Sequence, residues 1–241
     1  MSQSRRGFVP TDEKEFNPES IAVLRRAQKD ILYLLEQGYK ITPASTFVGN
    51  HYRLSERQRL AVVRATAEKK VLALREEKRL NRTEAPKQVF IDGFNVIITL
   101  EVALSNSTLI RCMDKTIRDL AGLRGTYRII DKTEEAIRLV GEELRFLGCE
   151  EAVFYLDAPV SNSGRLKQKL IEVLEQYPFW TRVALTENAD VLLKKLGNVI
   201  TQDAIILNQC ESWINLTAEI IGARLPGVHP VELDCFDQRL T

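Results

Sequence analysis

Four short strand-like runs after residue 87 each close on, or shortly before, an aspartate, and this recurrence constrains the fold more than any other feature of the chain. Residues 89–91 (Val-Phe-Ile) lead into Asp92 and residues 153–156 into Asp157; residues 183–185 come shortly before Asp190, and residues 199–200 before Asp203. Helical signals lie between them, at 133–147 (stopping at Gly148), 164–176 and 188–196. Alternation of this kind predicts an α/β fold with a mostly parallel central sheet and helices on both faces. Residues 204–207 are expected to form a further strand and 228–233 an edge strand. An apolar stretch at 96–104, mixed helical signals at 108–123 and a helical segment at 210–222 complete the pattern.

In an open α/β sheet the ligand site lies beyond the carboxyl ends of the strands. An acid buried there without a partner is expensive, so it is placed to meet a ligand or a metal. Carboxylates from four segments of one sheet point to a divalent-cation site, and magnesium or manganese suits such hard oxygen donors. Asn95, three residues after Asp92, is positioned to hydrogen-bond a phosphate oxygen or to fix a ligating carboxylate. Gly93 lets the backbone turn sharply beside the site. The bland alternative is that each Asp is a helix N-cap or turn former, and Asp190 would suit a first helical turn on electrostatic grounds alone.

The first third of the chain reads differently. Residues 1–86 carry 17 Lys/Arg against 11 Asp/Glu, and residues 87–241 carry 17 against 22. The asymmetry predicts a basic N-terminal part joined to an acidic one. Residues 1–17 are polar, and either irregular or draped over another part of the fold. Ile21, Leu24, Ile31, Leu32 and Leu35 recur at helical spacing up to Gly38, and a loop is expected over 39–54. Ser55 with Gln58 forms a capping box for a basic helix running to about Leu80. Such a helix can lie along a phosphate backbone or present an ordinary solvated face. Residues 81–86 are expected to be a linker.

No signal-peptide pattern is present, and no run reaches the roughly 18 apolar residues of a membrane span. The four cysteines, Cys112, Cys149, Cys210 and Cys235, form no C-x-x-C pair. Reduced thiols in a cytoplasmic protein fit this better than a disulfide frame or zinc. With only His51 and His229 present, mechanisms needing a histidine cluster or a Ser–His–Asp triad are poorly supported. Trp180 and Trp213 are expected in or near the core.

The Asp92-Gly-Phe-Asn95 motif after an apolar strand resembles the opening motif of the PIN-like nuclease superfamily, especially its NYN branch. Val153-Phe-Tyr-Leu-Asp157, Asn188-Ala-Asp190 and Val199-Ile-Thr-Gln-Asp203 resemble the later acidic elements of that branch, in the same order. The resemblance implies a PIN-like three-layer sandwich over residues 86–241, preceded by a small all-α basic domain over 1–85. It also implies metal-dependent cleavage of RNA, with Asp92, Asp157, Asp190 and Asp203 as ligands of magnesium or manganese and Asn95 as orienter. Pairing into a homodimer is a further expectation of that superfamily. The chain departs from the pattern where Ala204-Ile205-Ile206 follows Asp203, since many such nucleases place another acid there. Four segments, Arg-Arg-Gly at 5–7, Val-Gly-Asn-His-Tyr at 48–52, Arg-Gly-Thr-Tyr-Arg at 124–128 and Pro-Val-Ser-Asn-Ser-Gly-Arg-Leu at 159–166, also resemble a family of bacterial and archaeal two-domain proteins.

Two further groups are suited to phosphate. Ser161, Asn162, Ser163 and Arg165 precede a helix and combine hydroxyls, backbone N–H groups and a guanidinium. Arg124 and Arg128 flank Tyr127, a pattern that suits single-stranded nucleic acid. Two other readings stay open: a degenerate PIN-like module that binds RNA or a protein without cutting, and a phosphohydrolase of small esters. The second lacks an Asp-x-Asp-x-Thr motif, because Phe94 and Val96 occupy those places.

Overall fold

The computed structural model describes residues 4–81, 86–122 and 125–233. Helix α1 (Asp12–Glu15) leads into α2 (Pro18–Glu36), where Asn17 caps the first turn by accepting from the Ser20 N–H at 2.8 Å. The expected loop over 39–54 contains a helix instead, α3 (Ile41–His51). Pro43 is compatible with it because it falls in the first turn, where a missing N–H costs nothing. The expected long basic helix is two helices, α4 (Glu56–Ala65) and α5 (Lys69–Lys78). Ser55 and Gln58 do form the capping box of α4, but Thr66 turns extended (φ −104°, ψ 135°) and ends that helix.

Residues 82–85 of the expected linker lie outside the described residues, and after them come β1 (Gln88–Asp92), α6 (Gly93–Leu104), β2 (Leu109–Arg111), β3 (Ile117–Asp119) and α7 (Thr133–Phe146). They are followed by β4 (Glu151–Asp157), α8 (Ser163–Leu174), β5 (Trp180–Thr186), α9 (Ala189–Leu193), β6 (Val199–Ile200) and α10 (Ala204–Gln209). The chain continues with β7 (Trp213–Ile214), α11 (Leu216–Arg224) and β8 (Val231–Glu232). A five-stranded sheet has the order β5-β4-β1-β6-β7 with every pairing parallel. The second sheet, β3-β2-β8, falls where mixed helical signals were expected at 108–123, and β8 lies within the expected edge strand. The strand expected over 204–207 is helix α10, because Asp203 caps Ile205 and Ile206 and starts a helix there.

Both faces of the parallel sheet are covered. On one face Val89 and Ile91 pack with Leu100, Ile137, Leu144, Leu170 and Ile220. On the other, Phe90 and Tyr155 sit against Ala189, Leu193, Ile206 and Leu207 of α9 and α10, together with Trp213. Trp213 is fully buried and its indole N–H donates to the Arg75 carbonyl at 2.7 Å. Trp180 differs from expectation: it opens the edge strand β5 and is 80% exposed.

The helical region shares its core with the small sheet. Leu24, Ile31, Val48, Ala61 and Val62 pack with Ile110, Cys112, Leu120 and Leu233. Three ion-pair groups tie the N-terminal region together and to the rest of the chain. Arg6 pairs with Glu101 of α6 at 2.9 Å, Arg57 of α4 pairs with Asp12, and Arg75 and Arg118 both pair with Asp114. Residues 4–11 thus drape over α6, with Arg6 8% exposed and Glu101 fully buried. Much of the charge on the basic helices is therefore engaged internally. Cys112, Cys149 and Cys210 are buried free thiols, and no helix among the described residues is long and apolar enough to cross a membrane.

Candidate functional site

The chain leaves β1 through α6 and α7 toward β4 and β5, then returns through α9 to β6 on the opposite side of β1 and goes on to β7. Connections from β1 and β6 therefore depart in opposite directions, and a crevice opens at such a switch point beyond the carboxyl ends of the strands. The segments after β1 and β6 meet there. Asp92 ends β1, and its carboxylate accepts from the Thr201 hydroxyl at 2.8 Å and from the Asn95 N–H at 3.4 Å. The Asn95 side-chain oxygen accepts from the Gln202 N–H at 2.7 Å and from Thr201 at 3.2 Å. Thr201 also accepts from the Asp203 N–H at 3.0 Å. Gly93 allows this close approach: a Cβ there would lie 2.6 Å from Leu156 and 3.2 Å from the Tyr155 carbonyl.

Asp92 is only 8% exposed. Burial pushes its carboxyl up to about 7, against the opposing Thr201 hydrogen bond, and the charges of Asp190 and Asp203 push the same way. Asp190 is also raised, by burial and then by Asp203 and Asp157. The four predicted acids thus form one electrostatically connected group on the carboxyl edge of β1, β4, β5 and β6. Each also has a local structural role. Asp92 and Asp203 cap α6 and α10, Asp157 accepts from the Ala189 N–H at 2.7 Å, and Asp190 lies in the first turn of α9 behind the Asn188 cap. Among the described residues, no three His, Cys, Asp or Glu side chains are already gathered in a metal-holding cluster.

The other predicted residues lie elsewhere or are otherwise engaged. The Ser161 hydroxyl accepts from the Tyr127 N–H at 2.9 Å and donates to the Tyr127 carbonyl at 3.1 Å, and Asn162 donates to the same carbonyl at 2.6 Å. Ser163 donates to the Ala158 carbonyl at 3.2 Å. These side chains close the loop against residues 125–127, and Arg165 is left exposed. Arg128 is exposed, whereas Arg124 lies outside the described residues. Tyr127 is buried, its hydroxyl donating to Glu101 at 2.8 Å, so it offers no stacking face.

Gln202 and Asp119 are neighbours of the site that the sequence does not single out, and Arg118 and Arg64, which it gives only as parts of basic segments, lie beside them. With Asn95, Thr99 and Asp203 they line a cleft of about 290 Å³. Asp119 had been hidden by the helical reading of 108–123. The alternation Ile117-Arg118-Asp119 is the signal that would have placed it on a strand.

Residues 82–219 match the family described as a domain of unknown function (DUF5616). The chain belongs to this family. The DUF5616 region follows a match to a second family, a protein of unknown function (DUF434), over residues 23–78, so the architecture is two-part, as the whole-chain resemblance implied. The chain is similar to an uncharacterized protein of Methanocaldococcus jannaschii, 36% identical over 202 residues that span 82% of this chain and 96% of the relative. No solved structure matches it.

Proposed function

We propose that this DUF5616 chain is a metal-dependent ribonuclease of the PIN/NYN-like type that hydrolyses RNA phosphodiester bonds at the carboxyl edge of its parallel sheet. The observation that carries the reading is the meeting of Asp92, Asn95, Thr201 and Asp203 at a topological switch point, with Asp157 and Asp190 on the same carboxyl edge of the sheet. A carboxyl pushed up to about 7 by burial and by like charges is relieved by a cation, so the donor set fits one. The donors on offer are carboxylate oxygens, with Asn95 and Thr201 engaged in holding them, which suits magnesium or manganese over softer metals. When bound, such an ion supplies a water of lowered pKa and neutralises charge developing at phosphorus.

The protein's own contribution is orientation. Thr201 holds the Asp92 carboxylate by one oxygen, and Asn95 bridges the ends of β1 and β6 so that Asp92 and Asp203 keep a fixed separation. The reading carries a cytoplasmic setting, which the three buried free thiols support. A second reading rests on the capping roles of the same aspartates: the chain would be a PIN-like module that binds RNA or a protein without cleavage. Manganese-dependent cleavage of labelled single-stranded and structured RNA separates the two. Cleavage that is abolished by chelator and lost in folded Asp92→Asn supports the nuclease. RNA retention without cleavage by wild type selects the binding module.

A further inference from the structure

An acidic site that cuts a polyanion needs cations beside it to hold the backbone. The hydroxyls and amide of Ser161, Asn162 and Ser163 are engaged in holding the Tyr127 loop, and the exposed Arg165 and Arg128 do not line the cleft that contains Asn95 and Asp203. The cleft that contains Asn95 and Asp203 is walled on one side by Arg64 and Thr66 of the helical region. Two guanidiniums line it. Arg118 is 8% exposed and fully used: its Nε donates to the Gln202 carbonyl at 2.7 Å, and its other nitrogens reach Asp114 and the Arg64 carbonyl. Arg64 differs, with a side chain 34% exposed.

Arg64 donates through Nη1 to the Asp119 carbonyl and stands 3.8 Å from the Asp119 carboxylate. The pair is long and only its guanidinium end reaches solvent, so the remaining Arg64 nitrogens are open to a charge-assisted phosphate contact. Asp119 does not depend on it, because its carboxylate also accepts from the Thr99 hydroxyl at 3.1 Å and the Ala121 N–H at 2.8 Å.

We infer that Arg64 binds a backbone phosphate of the RNA beside Asp203, so that the helical region and the parallel sheet form the substrate cleft together. This inference rests on the ribonuclease reading. It gives the N-terminal region a role in substrate binding through one side chain of α4 rather than through a continuous basic helix.

The test is binding of a labelled single-stranded RNA across a salt series, with calcium in place of manganese to suppress cleavage. Losing one phosphate contact lowers the slope of log K against log[salt] by about 0.7 on single strands. Arg64→Ala and Arg64→Gln are expected to show that decrease. Arg64→Lys is expected to keep the slope but bind more weakly, since an ammonium cannot replace a bidentate fork. Lys87→Ala, at the amino end of β1 and 78% exposed in its side chain, should bind like wild type. Melting curves confirm folding, and the three substitutions at Arg64 guard against failure of any one. If Arg64→Ala and Arg64→Gln keep the wild-type slope and affinity while wild type cleaves RNA, the inference is overturned and the nuclease reading stands. If wild type retains no RNA at any salt concentration, both are overturned.

Discussion

Replacing Asp92 by asparagine should stabilise the metal-free protein at alkaline pH while weakening its response to divalent cations. In the unfolded chain this carboxyl titrates near 3.8, and in the folded protein at about 7, because burial and then Asp190 and Asp203 disfavour its charged form. A raised carboxyl contributes no penalty below the unfolded value. As pH rises from there through about 7, ionisation costs the folded state more than the unfolded state, and stability falls. A gap of about 3 pKa units corresponds to roughly 4 kcal/mol at pH 8, an upper figure that partial hydration of the crevice reduces. Asparagine is nearly isosteric, keeps an acceptor for the Asn95 N–H, and carries no charge at any pH. Chemical denaturation of wild type and variant, in chelator at pH 5 and pH 8, isolates this group because the other ionisations are shared. The variant is expected to gain about 2–4 kcal/mol over wild type at pH 8 and about half that or less at pH 5. Manganese at a hundredfold excess over the wild-type Kd should then stabilise wild type by about 2.7 kcal/mol and the variant by about half that or less. A variant that is less stable than wild type at pH 8 in chelator would refute the reasoning, since it would make the ionised carboxylate a net stabiliser without any cation.

Asp114 behaves in the opposite sense: burial pushes it up, but Arg118 and Arg75 outweigh that and hold its carboxyl below the usual range. Asp114→Asn should therefore cost about 3–5 kcal/mol at neutral pH by leaving two buried guanidiniums unpaired, and the gap from wild type should close as pH falls through and below the ordinary carboxylate range. Gly93→Ala should lower stability by about 1–3 kcal/mol, because its Cβ meets Leu156 and the Tyr155 carbonyl; an unchanged melting temperature would show that β1 and β4 yield easily there. Ser161→Ala should cost about 1 kcal/mol from its two bonds to Tyr127 yet leave RNA affinity unchanged, and weaker RNA binding at equal folding would return that loop to the substrate path.

The acidic edge was legible in the sequence because strand-ending aspartates report both topology and chemistry. Asp92, Asp157, Asp190 and Asp203 sit at the carboxyl ends that the apolar runs predicted, around one parallel sheet. Where the reading erred, tertiary context outweighed local pattern. Residues 204–207 are apolar enough for a strand, yet the Asp203 cap makes them a helix over the Phe90 and Tyr155 face. The 55–80 pattern is continuous, yet the extended backbone at Thr66 breaks it. The cluster of Ser161, Asn162 and Ser163 looks like a phosphate cradle only until Tyr127, 34 residues upstream of Ser161, is seen to occupy it. Arg64 was legible only as one cation of a basic helix, because nothing local distinguishes it from its neighbours on α4. Only the packing of α4 against β2 brings it to the cleft.

Asp92, Asp157, Asp190 and Asp203 are proposed to hold one divalent cation together. Calorimetric titration of manganese into the full chain at pH 8 tests it most directly, beside Asp92→Asn and Asp190→Asn. Saturable binding by wild type is expected, with affinity reduced by about tenfold or more in each variant that remains folded. Absence of binding by wild type, or equal affinity in all three proteins, would contradict it.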